Sequence, residues 1–332
     1  MSIILGLNCN HADSSACIII NGKLIYAIEE EKINRIKHWS GFPINSINEC
    51  LKHSKINISE ITDIALNTNP LSNLQRKANF FLKNYLFGKK KYEIINRIKK
   101  KLSIKESINK YYFPKKLSNN VQIHYIDHHL SHISSVFFPS KLNKAIGLSI
   151  DGFGDFCSIA IAKCNTKKIN IINRLYFPDS LGVFYEAFTQ LIGFKNYGDE
   201  YKIMGLAPYG KPIFYDKILN NIFDEEKKLK LNLKYFNHTK TNYSYNFKGK
   251  PNQKTLLNKN IYKIFSKKKI VDKKKITDQQ KNLAASVQKI FEEKLIYILE
   301  KIKKINFSKN LVYAGGCALN SSANRLLTNN NK

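Results

Sequence analysis

The chain is short of acid. Its 332 residues carry 25 Asp and Glu against 55 Lys and Arg, a formal net charge of +30. It has no run of about 18 apolar residues, which excludes a transmembrane helix. Its six cysteines contain no CxxC pair, so neither a disulfide framework nor a structural zinc site is expected. The start, Met1 to Asn8, lacks a basic region and a long apolar stretch, and reads as a strand rather than a signal peptide. Cytoplasm is therefore the default location. The acid deficit does not by itself point to nucleic acid. Lysine dominates over arginine, and arginine is the residue suited to bidentate phosphate and base recognition. The excess is concentrated between Lys89 and Lys116 and between Lys227 and Lys275, with the clusters Lys99 to Lys101, Lys267 to Lys269 and Lys273 to Lys275. Ile, Lys and Asn are heavily used throughout, as an AT-rich coding sequence produces. Compositional drift is favoured over a nucleic-acid face.

The length suggests about two domains, and 43% hydrophobic residues is ordinary for a globular protein. Ile3 to Asn8 is a short apolar run, and Cys9 to Asp13 a polar turn. Ser15 to Ile20 and Lys23 to Ile28 are β-rich and flank Asn21-Gly22, a pair suited to a type I′ hairpin turn. The pattern recurs: Ala145 to Ile150, the turn Asp151-Gly152-Phe153-Gly154-Asp155, then strands Cys157 to Ala162 and Ile169 to Tyr176. Two such β-meanders, each followed by helical sequence, predict a duplicated α/β architecture. Helices are expected over Pro43 to His53, in two pieces within Leu71 to Leu102 broken near Gly88, over His128 to Phe138, and over Thr277 to Ile302. Thr277 and Gln280 form a capping box for the last. Ile61 to Leu66, Val121 to Ile126 and Leu311 to Tyr313 are expected strands, and Tyr235 to Lys275 an insertion or loop.

Four of the eight histidines fall together: His124, His128, His129 and His132. Residues four apart share a helix face, so His128 and His132 present two imidazoles side by side. The carboxylate of Asp151 can complete a two-His, one-carboxylate face, which suits iron or another first-row divalent ion; a surface cluster beside Asp127 is the alternative. Gly315-Gly316 lies between a strand and a helix, where glycine allows close backbone approach and the helix start favours anions; tight packing would also explain it. Asn320 and Asn324, one turn apart, suit a ribose or phosphate, or solvent. Lys202 could pair with phosphate or stay solvated. His11, beside Asp13 in the first turn, is a candidate proton acceptor, or a plain polar turn residue. Glu29-Glu30-Glu31 reads as a salt-bridged face or a substrate-side wall.

Several stretches, taken in order, resemble the N-terminal, Kae1-like domain of the O-carbamoyltransferases that act on nodulation factors, cephamycins and tobramycin. They are Leu5-Gly6-Leu7-Asn8 with His11 and Asp13-Ser14-Ser15-Ala16; Glu29-Glu30-Glu31 through His38; Asp127-His128-His129-Leu130-Ser131-His132; and Asp151-Gly152-Phe153-Gly154-Asp155. Ser180-Leu181-Gly182 with Tyr185, Glu200 through Gly210, and Ala314-Gly315-Gly316-Cys317-Ala318-Leu319-Asn320 complete the set, with Tyr201 standing where relatives tend to have glycine.

The resemblance implies an actin-like, two-lobed ASKHA fold, with lobes over 1–142 and 143–332. It implies a metal, Fe(II) foremost, on His128, His132 and Asp151. It implies carbamoyl-adenylate, made from carbamoyl phosphate and ATP, bound near Gly182, Lys202, Gly315, Gly316, Asn320 and Asn324. The carbamoyl group would pass to a hydroxyl of a sugar or natural product, with His11 as base. The family pattern continues into a further acidic, glycine-containing motif and a YrdC-like domain. Neither lies within these residues, so a fragment, a split enzyme with a separate YrdC-like chain, or a partner-dependent protein is expected. A homodimer is a further candidate assembly. The alternatives are a tRNA threonylcarbamoyl-transferase and a non-catalytic remnant that binds nucleotide or metal.

Overall fold

The structure is a computed structural model that describes residues 1–85, 102–240, 249–251, 254–265 and 275–329. The lysine clusters at 99–101, 267–269 and 273–274, and the helix break expected near Gly88, lie outside the described residues. The chain forms two compact units: Met1–His128 with Ser244–Asn252, and His129–Tyr243 with Gln253–Lys332. The division falls just after His128, the first residue of a continuous helix.

In the first unit, β1 (Ile3–Asn8), β2 (Ser15–Ile20) and β3 (Lys23–Glu29) form the expected antiparallel meander. Asn21 and Gly22 have φ of 48° and 81°, the positive values that a type I′ turn needs at both central residues. β4 (Asp63–Leu66) and β5 (Gln122–Tyr125) add in parallel, giving the order β3-β2-β1-β4-β5. Ile3, Leu5 and Leu7 alternate into the core, where Ile47, Cys50 and Leu51 meet them. Among the described residues the α-helices are α1 (Glu30–Asn34), α2 (Ile44–Ser54), α3 (Leu74–Tyr85) and α4 (Ile104–Tyr112). Sequence reading did not find α4, although Ile104 and Ile108, both fully buried, stand one turn apart.

The second unit repeats the plan. After α5 (His128–Phe137) come β6 (Lys144–Gly154), β7 (Cys157–Asn165) and β8 (Ile169–Tyr176), again an antiparallel meander. β9 (Leu311–Ala314) lies parallel to β6, so the order is β8-β7-β6-β9. In both sheets the first meander strand is also the strand that accepts a parallel neighbour. This is the mixed α/β architecture with a duplicated meander that the ASKHA resemblance implies.

From Ala145 to Ile150 β6 is buried on both faces, which explains a run that is apolar but for Ser149. Ile146, Leu148 and Ile150 face the large core under α6 (Leu181–Ile192), which also includes residues of α7 (Glu200–Leu206), α8 (Tyr215–Ile222), α9 (Ile261–Ile264) and α10 (Asp278–Lys303). Ala145 faces Ile133 and Phe137 of α5. The α10 capping box forms as expected, and Leu283, Val287, Ile290, Phe291, Leu295, Ile298 and Ile302 are all buried.

The stretch 235–275 is more than a surface loop. Tyr235, Phe236, Leu256, Leu257, Ile261 and Phe265 enter the core, and Phe236 bridges to Leu257. Its apolar residues are scattered among lysines with neither helix nor strand period, so pattern reading could not see them. No helix among the described residues is long and apolar enough to cross a membrane.

Candidate metal centre and surrounding loops

The chain leaves β5 at Tyr125 and enters α5 at His128, so the helix opens on the histidine pair. β6 carries Asp151 just beyond its last apolar residue, where its register with β7 breaks between Ile150 and Gly154. His132 Nε2 lies 2.9 Å from Asp151 Oδ2, and the Gly152 backbone N–H donates to Oδ1 at 2.7 Å. The ligand atoms of His128, His132 and Asp151 all fall within 4.8 Å of one another, and all three residues are partly buried. Two imidazole nitrogens and a carboxylate oxygen converging in this way fit a first-row divalent cation with positions left open. The other two histidines of the run do different work. His129 is fully buried with Nδ1 2.8 Å from Ser149 Oγ, which anchors α5 to β6. His124, on β5, pairs with Asp63 at 2.7 Å.

Three glycines pack against Asp151 and the backbone on either side of it. Gly315 has φ of 93°, and a Cβ there would meet Ile150 O at 2.3 Å. On Gly182 it would meet Asp151 O and Gly152 N at 2.7 Å, and on Gly316 the Asp151 Oδ1 at 3.0 Å. Ser180 locks the arrangement: its hydroxyl caps α6 by accepting from Val183 N–H and donates to Gly152 O at 2.7 Å. Close approach of two segments, the start of α6 and the turn after β9, to the backbone at 150–152 and the Asp151 side chain thus accounts for all three glycines.

The polar residues nearby are bound to the protein itself. Asn320 exchanges hydrogen bonds with Gln288 at 3.0 and 3.1 Å, and its Oδ1 accepts from Ala323 N–H, capping α11 (Ser321–Asn329). Tyr185 donates to the same Gln288 at 2.8 Å. Asn324 Nδ2 donates to Ala318 O at 2.8 Å, while its buried Oδ1 has no hydrogen-bond partner among the described residues. Lys202 reaches Asp199 at 2.7 Å, and that bond holds its ammonium pKa above the ordinary lysine value. Sequence reading missed Tyr313, whose hydroxyl is buried with no hydrogen-bond partner among the described residues. Burial first, then the Cys317 thiol and the Asp151 charge, push its phenol up. A lone tyrosine in the buried strand Leu311–Ala314 was the available signal.

The first unit has its own cluster at the end of β1. Asn8 Nδ2 donates to Ala12 O and Asp13 O at 3.0 and 2.8 Å and shapes the turn. His11 Nδ1 is 3.3 Å from Ala12 O, and its ring centroid is 6.4 Å from that of His128, the last residue of this unit. Asp13 Oδ1 accepts from His38 Nδ1 at 2.7 Å. Glu31 Oε2 accepts from the His38 backbone N–H at 2.8 Å, and its other oxygen meets Lys32 at 2.9 Å. The acidic triplet therefore divides. Glu29 and Glu31 bind Lys32, whereas Glu30 is buried and caps α2.

The chain belongs to the family described as carbamoyltransferase N-terminus, whose profile matches residues 3–332. It is 30% identical to the uncharacterized protein sll1178 of Synechocystis sp., over 98% of this chain and 52% of that protein. It is 29% identical to nodulation protein NolNO of Sinorhizobium fredii, over 94% of this chain and 41% of that protein. The chain thus spans about half the length of these curated relatives. Among solved structures, component A of (R)-2-hydroxyglutaryl-CoA dehydratase from Acidaminococcus fermentans aligns at a TM-score of 0.45 and 12% identity, covering 99% of this chain and 88% of that one.

Proposed function

We propose that this chain is the transfer portion of an O-carbamoyltransferase. It takes carbamoyl-adenylate, made from carbamoyl phosphate and ATP, and passes the carbamoyl group to a hydroxyl of a sugar or natural-product acceptor. The observation that carries this reading is the convergence of His128, His132 and Asp151 in a member of this family.

Those three residues would hold the divalent metal, Fe(II) foremost, which when bound supplies a Lewis acid for the phosphate or carbonyl oxygen. The chain's own groups do the rest. Gly152 N–H fixes which oxygen Asp151 turns toward His132. Gly315 and Gly316 let the turn into α11 pass close against Ile150 and Asp151, and the adenylate would bind beside that helix start. Gly182 keeps the α6 start against the same backbone. Asn324 Oδ1 is an acceptor for a ribose hydroxyl, and Asn320 holds the α11 start in place for it. Lys202, exchanging Asp199 for phosphate, would neutralise the nucleotide. The attacking hydroxyl needs a proton acceptor, for which the sequence nominates His11. Adenylate synthesis falls to a YrdC-like portion, on the same polypeptide or a separate chain.

The test is to load the purified protein anaerobically with Fe(II), supply carbamoyl-adenylate and an amino-sugar acceptor panel, and follow AMP release and carbamoylated product. Metal-dependent product supports the reading. Bound metal without turnover, even with a YrdC-like partner added, assigns the chain as a binding remnant. Salt-dependent retention of tRNA would move it to the tRNA-modifying branch.

A further inference from the structure

We propose that the outer edge of β9 is the docking site for one more β-strand, parallel to β9 and supplied by the C-terminal portion that relatives carry beyond the length matched here. The proposal does not depend on the carbamoyl-transfer reading. It rests on a difference between two sheets that otherwise share one plan. The first has the order β3-β2-β1-β4-β5 and the second β8-β7-β6-β9. β1 and β6 are matching meander strands, and β4 and β9 are their matching parallel neighbours. β5 pairs with the far side of β4, whereas among the described residues no strand pairs with the far side of β9.

Hydrogen bonds fix the match residue by residue. Gln122 N–H donates to Thr62 O at 3.0 Å and Ile126 N–H to Leu66 O at 2.9 Å, so Ile64 and Leu66 turn their backbone groups toward β5. In the second sheet Ile146 N–H donates to Asn310 O at 2.8 Å. Val312 and Ala314 therefore face β6, and Leu311 and Tyr313 turn their N–H and C=O groups outward. Leu311 and Tyr313 are thus the counterparts of Ile64 and Leu66, and their outward groups have no hydrogen-bond partner among the described residues. Burial differs in the same sense. Ile64 and Leu66 are 0% and 1% exposed, whereas Leu311 and Tyr313 pack against their core only partly buried. The Tyr313 hydroxyl, buried with no partner among the described residues, is a further unmet group on this strand.

Connectivity chooses the occupant. β9 passes through the glycine turn into α11, and a strand followed by a helix opens a crossover unit whose last element is a strand parallel to the first. In the first unit β4 leads to the parallel β5 by way of α3 and α4. The family profile describes an N-terminus. The chain spans 52% of sll1178 and 41% of NolNO, so a comparable length of each lies outside the match. A second copy paired edge to edge about a two-fold axis would run antiparallel, against the plan of the first sheet. The segment that fits is extended, at least as long as the four residues of β9, and apolar where it covers Leu311 and Tyr313.

The experiment uses the full chain and, as probe, the portion of sll1178 beyond the match, added as a separate polypeptide and, in a second arrangement, fused after Lys332. Amide hydrogen exchange is read along β9. In the chain alone, Leu311 and Tyr313 should exchange about 100-fold faster than Val312 and Ala314, which face β6. Binding or fusion should slow Leu311 and Tyr313 by about tenfold or more and leave the other two unchanged. Leu311→Pro removes an outward N–H that the chain alone does not use, and proline is tolerated at such edge positions. It should bind the added portion about tenfold more weakly than Leu311→Ala, the worth of one backbone hydrogen bond. Leu311 and Tyr313 already slow in the dilute chain, slow only as its concentration rises, or slowed in neither arrangement overturns the proposal, as does equal binding by the Pro and Ala variants. Protection of β9 in a fusion that releases no AMP from carbamoyl-adenylate would overturn the carbamoyl-transfer reading and leave the docking site standing.

Discussion

Glu30, only 1% exposed, accepts hydrogen bonds from both the backbone N–H and the hydroxyl of Ser46, each at 2.8 Å. Asn45 adds its own backbone N–H and side-chain amide to the other carboxylate oxygen, at 3.3 and 2.7 Å. These backbone donors are orphans of the first turn of α2, so the carboxylate from α1 caps a helix ten residues further along. Bonds to a charged acceptor are the stronger kind, and stranding buried donors carries the full desolvation penalty. Glu30→Ala should therefore lose about 3 kcal/mol of stability in urea denaturation, and Glu30→Gln less, since it keeps one acceptor. An alanine variant as stable as the parent would mean the cap is ornamental.

His128→Ala combined with His132→Ala should abolish binding of divalent metal, read by elemental analysis after anaerobic loading. Stability of the metal-free protein should change by less than about 1 kcal/mol, because both side chains are partly exposed and fill no core space. Unchanged metal content would remove the helix α5 assignment.

Gly315→Ala should cost more than about 2 kcal/mol, since the residue has φ of 93° and its new methyl would meet Ile150 O at 2.3 Å. It should also weaken metal binding by turning Asp151. Gly205 is the control. It lies in α7, and a Cβ there meets nothing within 4 Å, so Gly205→Ala should gain about 0.5–1 kcal/mol. Thermal melts of the two variants should move in opposite directions.

His238 makes stability fall in mild acid. Its ring is buried among Phe153, Phe177 and Phe236, with Nε2–H donating to Pro178 O at 2.8 Å. Burial lowers its pKa below the ordinary 6.5, only partly opposed by the Pro178 bond. The unfolded chain therefore takes up a proton as pH falls through about 6.5 while the folded chain does not, and stability drops until the folded pKa is reached. The slope attributable to this group approaches about 1.4 kcal/mol per pH unit. His238→Phe should flatten the difference in urea midpoint between pH 7.5 and 5.5. An unchanged slope would assign the acid sensitivity elsewhere.

Strand and helix periods made most of both sheets and α10 readable, because Ile3, Leu5 and Leu7 alternate and the α10 stripe repeats every turn. The Asn21-Gly22 turn was readable for a different reason: few residue pairs tolerate its backbone. The pairing of His132 with Asp151 was legible from helix spacing and a strand end. The Asp13–His38 bond was not, since residues 25 apart in sequence meet only through the loop at 38–41. Nor was the burial of Glu30, because a run of glutamates looks like solvent-facing charge until one of them finds four donors. Asn320 was legible as a residue of interest, but its partner Gln288 sits on a helix 32 positions away.

The three glycines packed around Asp151 set a limit on genetic drift. Every glycine codon begins with two guanines, whereas the isoleucine, lysine and asparagine used so heavily in this chain have codons rich in adenine and thymine. At Gly182, Gly315 and Gly316 a change of either guanine meets a steric wall, because no codon reachable by losing a guanine encodes a residue without a side chain. The base composition of those triplets should therefore stand out from the rest of the gene, a record in nucleotides of where backbone touches backbone.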